Sequence, residues 1–492
     1  MNSAIAQFSK SLLSPSRLAW LGVFAVQFAL VGLFLLDWKL PVAATLAGVV
    51  AVVALRFPMM AVGALLASRI LSTGSMSFLR IGGLNIGVFE PMLGVALAVL
   101  IIRAADRRLS VTPAFPWRTP LMVFWAWQVI GLAWSSKPGS GFGDVISIGV
   151  VVATTTVLLV FVDDYDKFEL TVLAWILGTL LTAVLSMTTS FNDVASAGKT
   201  WEIASKGGRE TGLGQQPNWF SMNLMFGVAL SFALAVVQRR TLYRLGLMGI
   251  GLFILLAQLR SGSRGGTYAL IIGALVMSVS LPLVRKWILR LGGLSLTAGL
   301  LWAFFGDDST SQALHRIAMN VGNTWGSDIR ERNWIVCMKM AQDTWGIGIG
   351  AGGYQELVAD YDWKIYDSIH RYPHGIFWGV LGHFGLVGVL CFVALIRQVF
   401  RMNRELASVT RGTRAEVFTW AFPAVMCGYF AWSFVEFNFD DKPFWEFLGL
   451  YTALYLISRR VVAGELSFPP LEGGLGLPWA TPAADDAAAE PA

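Results

Sequence analysis

Long apolar runs separated by short polar segments dominate the chain. Fourteen of these runs approach the ~20 residues that a helix needs to cross a bilayer. They lie at about 18–36, 41–55, 57–71, 89–102, 119–134, 145–162, 168–187, 217–237, 242–259, 266–284, 286–305, 373–397, 416–436 and 442–460. The runs at 41–55 and 57–71 are short, and the second contains Arg69. The alternative is therefore that this pair is re-entrant or interfacial and that the chain has twelve spans. The pattern predicts an all-α, polytopic integral membrane helical bundle with 12–14 transmembrane helices.

The composition excludes several classes of protein. Of the 492 residues, 55% are hydrophobic and 14% are charged, whereas a soluble domain carries roughly 25% charged residues. An ordinary soluble enzyme, a disordered protein and a nucleic-acid binder are therefore excluded. The three cysteines, Cys337, Cys391 and Cys427, are too scattered for a disulfide framework or a thiolate metal site. No HExxH, CxxC or acid–histidine cluster is present, so neither a metal nor another cofactor is predicted.

The basic residues of the short connecting segments predict the orientation. An even number of spans places nearly all of them on one side, which the positive-inside rule makes cytoplasmic together with both termini. These residues are Arg103, Arg107, Arg108, Arg118, Arg239, Arg240, Arg244, Arg285, Lys286, Arg290, Arg397, Arg401, Arg404, Arg411, Arg414, Arg459 and Arg460. The segment 188–216, the turn 260–264 and the long loop 306–372 then face outward.

The long loop is rich in aromatic residues, which argues against disorder. Within it, 328–344 is predicted to form a helix at the membrane surface, and a run of glycines follows as a tight turn of close approach. Those glycines are Gly346, Gly348, Gly350, Gly352 and Gly353. We divide the chain into an N-terminal bundle (1–187), a central region with the outward segments (188–397), C-terminal helices (398–463) and a disordered cytoplasmic tail (464–492).

Cations on the outward side run against the orientation rule and are the candidates for chemistry. They are Arg209, Arg260, Arg264, Arg330, Arg332 and Arg371, with His370 and His374 nearby. Arginine presents a rigid fork that suits phosphate oxygens, so a converging group would bind a diphosphate or another dianion. The alternative is that these arginines reach toward lipid headgroups or pair with acids such as Asp328, Glu331 and Asp343.

Other candidates surround these cations. His374 lies at the mouth of a span, and an imidazole can take a proton from a hydroxyl at neutral pH, although a hydrogen-bonded interfacial role is the common one. His383 is expected to be a buried polar contact. Gly265 and Gly266 follow Arg264 at a helix start, where a backbone or an anion can approach closely. Loop aromatics either stack on sugars or simply cap the loop.

Four segments together resemble the bacterial O-antigen ligases and O-antigen polymerases. GRETGLGQQPNWFSMNLM is similar to the family's Arg, Gly and Pro-Asn pattern, at Arg209, Gly212, Pro217 and Asn218. RSGSRGGTYAL resembles its Ser-Arg-Gly turn at Ser263, Arg264 and Gly265. RERNWIVCMKMAQDTWGIGIGAGGY resembles its Arg-x-x-x-Trp helix, at Arg330 and Trp334, and its glycine turn. PHGIFWGVLGHFGLVG resembles the start of the following span, with His374 as the histidine; the family's Asn is Gly375 here and its Glu is His383.

The resemblance implies a metal-independent glycosyl transfer in the bacterial inner membrane, on its periplasmic face. The donor would be a glycan on undecaprenyl diphosphate, and the acceptor a hydroxyl of lipid A core or another surface glycan. The implied diphosphate ligands are Arg209, Arg264 and Arg330, with Arg260, Arg332 and Arg371 as second choices. Arg264 would also stabilise the leaving diphosphate and His374 would act as base. Asn218, Trp334 and Tyr354 are expected to contact the acceptor or the sugars.

Three alternatives remain open. A polymerase would join lipid-linked repeat units through the same chemistry and differ only in its acceptor. A flippase or secondary transporter would be expected to carry internal repeats and paired ionisable groups at mid-membrane depth. A structural scaffold would give the outward arginines and the glycine turn no role.

Overall fold

The structure, a computed structural model, describes residues 48–49, 52–71, 79–81, 84–86, 89–105, 115–187, 217–280, 293, 328–362, 373–434 and 442–471. Its elements follow in chain order. They are α1 (Pro58–Leu71), β1 (Leu79–Ile81), β2 (Leu84–Ile86), α2 (Phe89–Ala105), α3 (Arg118–Gly131), α4 (Pro138–Phe161), α5 (Tyr165–Ser186), α6 (Pro217–Val237), α7 (Thr241–Arg260), α8 (Arg264–Ser280), α9 (Asp328–Asp343), α10 (Tyr354–Tyr361), α11 (Ile376–Val409), α12 (Ala415–Ser433) and α13 (Lys442–Val462).

The predicted all-α membrane fold is confirmed. Five of the described helices, α4, α5, α6, α7 and α11, are long and apolar enough to cross a membrane, and α8 is a shorter apolar helix. Helices α1, α2, α3, α12 and α13 coincide with further predicted runs. The predicted run 18–36, and the run 286–305 apart from residue 293, lie outside the described residues, so the number of spans stays a prediction.

A short antiparallel hairpin interrupts the helical architecture where none was predicted. Strands β1 and β2 pair Leu79 with Ile86 and Ile81 with Leu84. Apolar residues alternate with others in this stretch, and Gly82–Gly83 stand between the strands in the sequence. That pair favours a two-residue hairpin connection. The hairpin connects α1 and α2, which also contact each other.

The bundle is built from pairs of helices that share extensive contacts. The main pairs are α6 with α7, α8 with α12, α4 with α13, α1 with α5, and α11 with both α3 and α9. Aromatic rings fill the centre: Phe422 lies 4.3 Å from Phe447, and Phe226 lies 4.7 Å from Phe447, between ring centroids. Such ring pairs bury much apolar area and hold α6, α12 and α13 together.

Helix α11 is bent at Gly385, whose φ of 62° and ψ of −156° are not helical. After the bend, Phe392 contacts Phe430 of α12, with ring centroids 6.1 Å apart. Before the bend, a side chain on Gly375 would meet the carbonyl oxygen of Phe434 at 2.7 Å. A straight helix would separate Phe392 from Gly375 by about 26 Å, whereas Phe430 and Phe434 are one turn apart. The segment before Gly385 therefore turns across the end of α12 instead of continuing along it.

The bundle has two chemically different ends, which we name by one residue each. The His374 end contains the starts of α8 and α11, the end of α12, and helices α9 and α10. The Arg414 end contains the starts of α5 and α12 and the end of α13. There, Arg414 Nη2 contacts Glu169 Oε2 at 2.8 Å, and Arg460 donates to the carbonyl of Asp163 at 2.8 Å.

Residues 464–471 dock at the Arg414 end, although disorder was predicted from residue 464 onward. The amide of Arg414 donates to the Pro469 carbonyl at 2.9 Å, and the amide of Leu471 donates to the Gly412 carbonyl at 2.9 Å. Phe468 is buried against the ring of Tyr165. These backbone pairs and one apolar anchor order a segment that its Pro- and Gly-rich composition alone would leave free. The rest of the predicted tail, 472–492, lies outside the described residues.

Candidate functional site

His374 lies in the turn that leads into α11. Its side chain is buried, with 2% of the residue exposed. Pro373 precedes it, and Gly375 follows with a φ of 114°, a conformation that disfavours residues with a side chain. A side chain at 375 would also meet the indole nitrogen of Trp334 at 3.2 Å. Glycine at this position lets the chain turn sharply under α9, and this turn fixes where His374 sits.

Trp334 of α9 holds the His374 turn in place. Its indole nitrogen donates to the carbonyl oxygen of His374. Its ring stacks near Trp378 with a centroid distance of 6.2 Å and meets Phe434 edge-on at 5.6 Å. Trp334 thus packs against the His374 turn and positions it through its donor and one ring face, and its predicted contact with a sugar stays a prediction.

A second turn, between α7 and α8, orders the Ser-Arg-Gly motif. Gly262 has a φ of 60°. Ser263 caps α8, because its hydroxyl oxygen accepts from the amide of Gly266 at 3.3 Å. The same hydroxyl donates to the side-chain oxygen of Asn218 at 3.0 Å. Asn218, predicted as an acceptor contact, therefore ties the start of α6 to the start of α8.

Arg264 is the first residue of α8 and is half-buried. No hydrogen bond or ion pair joins its guanidinium to another residue of the described chain. The amides of a helix start and the helix dipole add to its positive charge. Arg260, in the last turn of α7, is also half-buried and stands four residues earlier, across the same turn. The turn is therefore positively charged, and no carboxylate of the described residues neutralises Arg264.

The end of α12 connects the Arg264 turn to the His374 turn. A side chain on Gly265 would meet the indole nitrogen of Trp432 at 2.8 Å. Two residues later in the chain, Phe434 meets Gly375 and Trp334. The two glycines, at the starts of α8 and α11, thus lie against neighbouring residues at the end of one helix. The structure brings the candidate cation Arg264 and the candidate base His374 to the same end of the bundle.

The arginines of α9 differ from each other. Arg332 Nη1 contacts both carboxylate oxygens of Asp362, at 2.9 and 2.8 Å. Pairing with an acid was the predicted alternative for these arginines, but the partner is Asp362 and not one of the three acids that the sequence suggested. Arg330 is half-buried near the start of the helix. Arg209 and Arg371 lie outside the described residues, so their predicted positions stay predictions.

Tyr354 begins α10 and is buried, with 2% exposed. Its hydroxyl donates to the side-chain oxygen of Asn333, and its ring lies 5.6 Å from that of His383. Burial raises the pKa of the Tyr354 hydroxyl and of the neighbouring Cys337 thiol. This cluster joins α9, α10 and α11 into one cap, and Tyr354 presents no open ring face for a sugar.

The predicted glycine turn is confirmed as a close approach of backbones. Gly346, Gly348, Gly350 and Gly352 all have φ between 77° and 86°. A side chain on Gly348 would meet the carbonyl of His383 at 2.5 Å, and one on Gly350 would meet the carbonyl of Gly131 at 2.5 Å. The turn is therefore wedged between α3 and the bend of α11, where only glycine fits.

Backbone groups freed by the bend in α11 find partners in this turn. The amides of Ile349 and Gly350 donate to the carbonyls of Gly382 and His383, at 3.0 and 2.9 Å. The indole of Trp127 donates to the carbonyl of Phe384 at 2.8 Å. His383 is a buried polar contact as predicted, since its Nδ1 contacts the Gly379 carbonyl at 2.9 Å. Satisfied backbone groups make the bend stable in an apolar setting.

Sequence reasoning missed several residues that shape this end. Trp127, Asp362, Ser221 and Trp432 lie inside apolar runs or in the acid-rich stretch of the loop, where their types are common. Gly385 offered a weak signal, because it belongs to a glycine-rich stretch of α11. Within the described ranges, no group of three or more His, Cys, Asp or Glu side chains is arranged to hold a metal ion.

Comparisons with known proteins give this site no established identity. The chain matches no protein-family model, and no curated protein matches it significantly. The assignment of a function therefore depends on the chemistry of the His374 end.

Proposed function

We propose that this protein is a membrane glycosyltransferase of the O-antigen ligase type. It would transfer a glycan from undecaprenyl diphosphate to a hydroxyl of an acceptor lipid or surface glycan, without a metal. The observation that carries the proposal is the meeting, around Trp432 and Phe434, of the turn that bears Arg264 and the turn that bears His374. An anion site beside an imidazole is what such a transfer requires.

The reaction assigns a role to each of these groups. The acceptor oxygen attacks the anomeric carbon of the donor, and the bond from that carbon to the diphosphate oxygen breaks. His374 takes the proton of the attacking hydroxyl. Arg264, at the start of α8, stabilises the negative charge that develops on the leaving diphosphate. Arg209 and Arg330 complete the predicted diphosphate site, and Arg260 and Arg371 are second choices. Arg332, the other second choice, forms an ion pair with Asp362.

Single substitutions test the proposal. Arg264→Ala and His374→Ala should each abolish glycan transfer by purified protein in lipid, and both proteins should remain folded. The matched control is Lys137→Ala, which removes an exposed cation paired with Glu356 and should leave transfer unchanged. Normal transfer by both Arg264→Ala and His374→Ala would overturn the proposal. Product formation is read by sizing the glycan on a gel.

The acceptor separates the ligase from the polymerase. Purified protein is offered a lipid-linked oligosaccharide, with and without a second glycan acceptor. A ligase forms product only when the second acceptor is present, whereas a polymerase joins the lipid-linked repeats to one another and gives a ladder. We favour the ligase because the predicted outward loop is one large capped unit. With this loop facing outward, the His374 end would face the periplasm of a bacterial inner membrane.

A flippase or secondary transporter is the second candidate, and the bend of α11 at Gly385 favours it. Broken helices frame substrate sites in many transporters. The freed backbone groups at this bend, however, bond to the glycine turn and to Trp127. Movement of a labelled lipid-linked glycan across vesicles by protein that carries His374→Ala would support transport, because transport needs no general base.

A further inference from the structure

Two buried hydrogen-bond donors near Arg264 have no partner among the described residues. They are the indole nitrogen of Trp432 and the hydroxyl of Ser221. Trp432 is 3% exposed and Ser221 is fully buried. Folded proteins rarely leave a buried donor unpaired, because the group has lost its water without gaining a replacement. Each unpaired donor therefore needs an explanation, and a bound ligand would supply the missing acceptor.

Both donors converge on the first turn of α8, from two different helices. Trp432 comes from the end of α12, and its indole nitrogen would lie 2.8 Å from a side chain placed on Gly265. Ser221 comes from the first turns of α6, and its hydroxyl is the nearest atom to a side chain placed on Gly266. Without side chains at 265 and 266, donors on neighbouring helices reach the same helix start that carries Arg264.

The chemistry of this turn selects an anion with several oxygens. Arg264 contributes a guanidinium, Trp432 an N–H and Ser221 an O–H, and the start of α8 adds its amides and the positive end of the helix dipole. Two side-chain amides border this turn. The oxygen of Asn218 already accepts from Ser263, and Gln258 donates to the Gly266 carbonyl at 3.0 Å, which leaves the Gln258 oxygen as one buried acceptor without a described partner. A sugar hydroxyl must donate as well as accept, whereas a phosphoryl group only accepts. Because the donors at this turn outnumber the single open acceptor of Gln258, the set fits a phosphoryl group better than a sugar.

We propose that Trp432 and Ser221 bind phosphoryl oxygens of the substrate together with Arg264, at the first turn of α8. This inference rests on the proposed function, which places a diphosphate at Arg264. Trp432 also stands two residues before Phe434, which contacts the His374 turn, so α12 would set the distance between the leaving group held by Trp432 and the base.

Conservative variants test the two donors. Trp432→Phe keeps an aromatic ring against Gly265 and removes the N–H, and Ser221→Ala removes one oxygen from a tight contact. The matched control is Ser231→Ala on the same helix, since Ser231 is equally buried but its hydroxyl donates to the Gly227 carbonyl at 2.7 Å. Binding of a polyprenyl diphosphate to the purified protein is measured by calorimetry, beside the matching polyprenyl alcohol.

Each donor variant should weaken diphosphate binding about tenfold, as expected for loss of a hydrogen bond to a charged group. Binding of the alcohol should not change, and Ser231→Ala should bind both lipids like the unmodified protein. Unchanged diphosphate binding in Ser221→Ala, which is expected to fold, overturns the inference, as does an equal loss for the alcohol. If Arg264→Ala also binds the diphosphate normally, the proposed function itself fails, and the two failures are thereby distinguished.

Discussion

The arginines at the two ends of the bundle differ in whether they have carboxylate partners. At the Arg414 end, Arg414 contacts Glu169, Arg401 contacts Glu405 at 2.9 Å, and Arg460 contacts Glu465 at 2.9 Å. At the His374 end, Arg332 has a carboxylate partner, but Arg264 has none among the described residues. The donors Trp432 and Ser221 beside it also lack partners there.

Under the proposed function, this difference separates cations that stabilise the fold from a cation that binds the substrate. A paired arginine has its charge neutralised by the protein, and its removal is felt as lost stability. A half-buried arginine without a carboxylate partner loses hydration free energy on folding, and a bound anion offsets that loss. The comparison therefore predicts opposite consequences for equivalent substitutions at the two ends.

The largest effect is expected from the left-handed glycines of the two ends. Gly385→Ala places a side chain against the backbone of Gly346 and Ile347, at φ 62°, whereas Gly412 has φ 71° but nothing within 4 Å of an added side chain. Gly412→Ala should cost about 1 kcal/mol from backbone strain alone. Gly385→Ala should cost well over about 3 kcal/mol, since the strain and the clash act together. Thermal unfolding in detergent measures both, and equal midpoints would contradict the close approach at Gly385.

The second largest effect is expected from a comparison of alanine substitutions at Arg414 and Arg264. Arg414→Ala leaves the mostly buried Glu169 carboxylate unpaired and should cost about 3 kcal/mol of stability. Arg264→Ala should leave the unfolding midpoint nearly unchanged, because no described group loses a partner. The measurement is again the midpoint, taken with glycan transfer on the same samples. A larger loss of stability for Arg264→Ala than for Arg414→Ala would remove the distinction between the two ends.

Within the His374 end, Arg332 sharpens the same contrast. Its pair with Asp362 joins α9 to the end of α10, with side chains that are 29% and 17% exposed. Arg332→Ala should cost about 1 to 2 kcal/mol and reduce glycan transfer only in proportion to the folded fraction. Asp362→Asn should give a similar loss. Complete loss of transfer by well-folded Arg332→Ala would instead return Arg332 to the substrate site.

The smallest effect is a pH dependence at the Arg414 end. Partial burial alone would raise the pKa of Asp164, but hydrogen bonds and the charge of Lys167 outweigh it and hold that pKa below its usual value. The ionised carboxylate caps α5 by accepting from the Lys167 amide at 2.8 Å. Its contribution is therefore present above about pH 4 and disappears as the pH falls through the lowered pKa.

The variant Asp164→Ala isolates that contribution. It should cost about 1 kcal/mol at neutral pH, as expected for loss of a helix cap, and should make the unfolding midpoint less sensitive to acid. Parallel curves for the variant and the unmodified protein below about pH 4 would exclude Asp164 as the group that titrates.

Much of this architecture follows from local sequence patterns. Apolar runs predicted helices α1 to α8 and α11 to α13, because a helix in an apolar setting satisfies its own backbone groups within one segment. The glycine turn was likewise predictable, since a run of alternating glycines such as Gly348 and Gly350 marks positions where side chains do not fit. Local context also predicts a general base at His374 and anion binding at Arg264, and both stay predictions.

Tertiary structure alone decided which partner each polar group has. No sequence pattern indicates that Arg332 contacts Asp362, that Trp334 donates to the carbonyl of His374, or that Trp432 lies over Gly265. These contacts join segments that are distant along the chain, and they depend on the bend at Gly385, which carries the His374 turn across the end of α12. Apolar periodicity is a local property that selects helices, whereas pairing of charges and donors depends on which helix ends meet after packing.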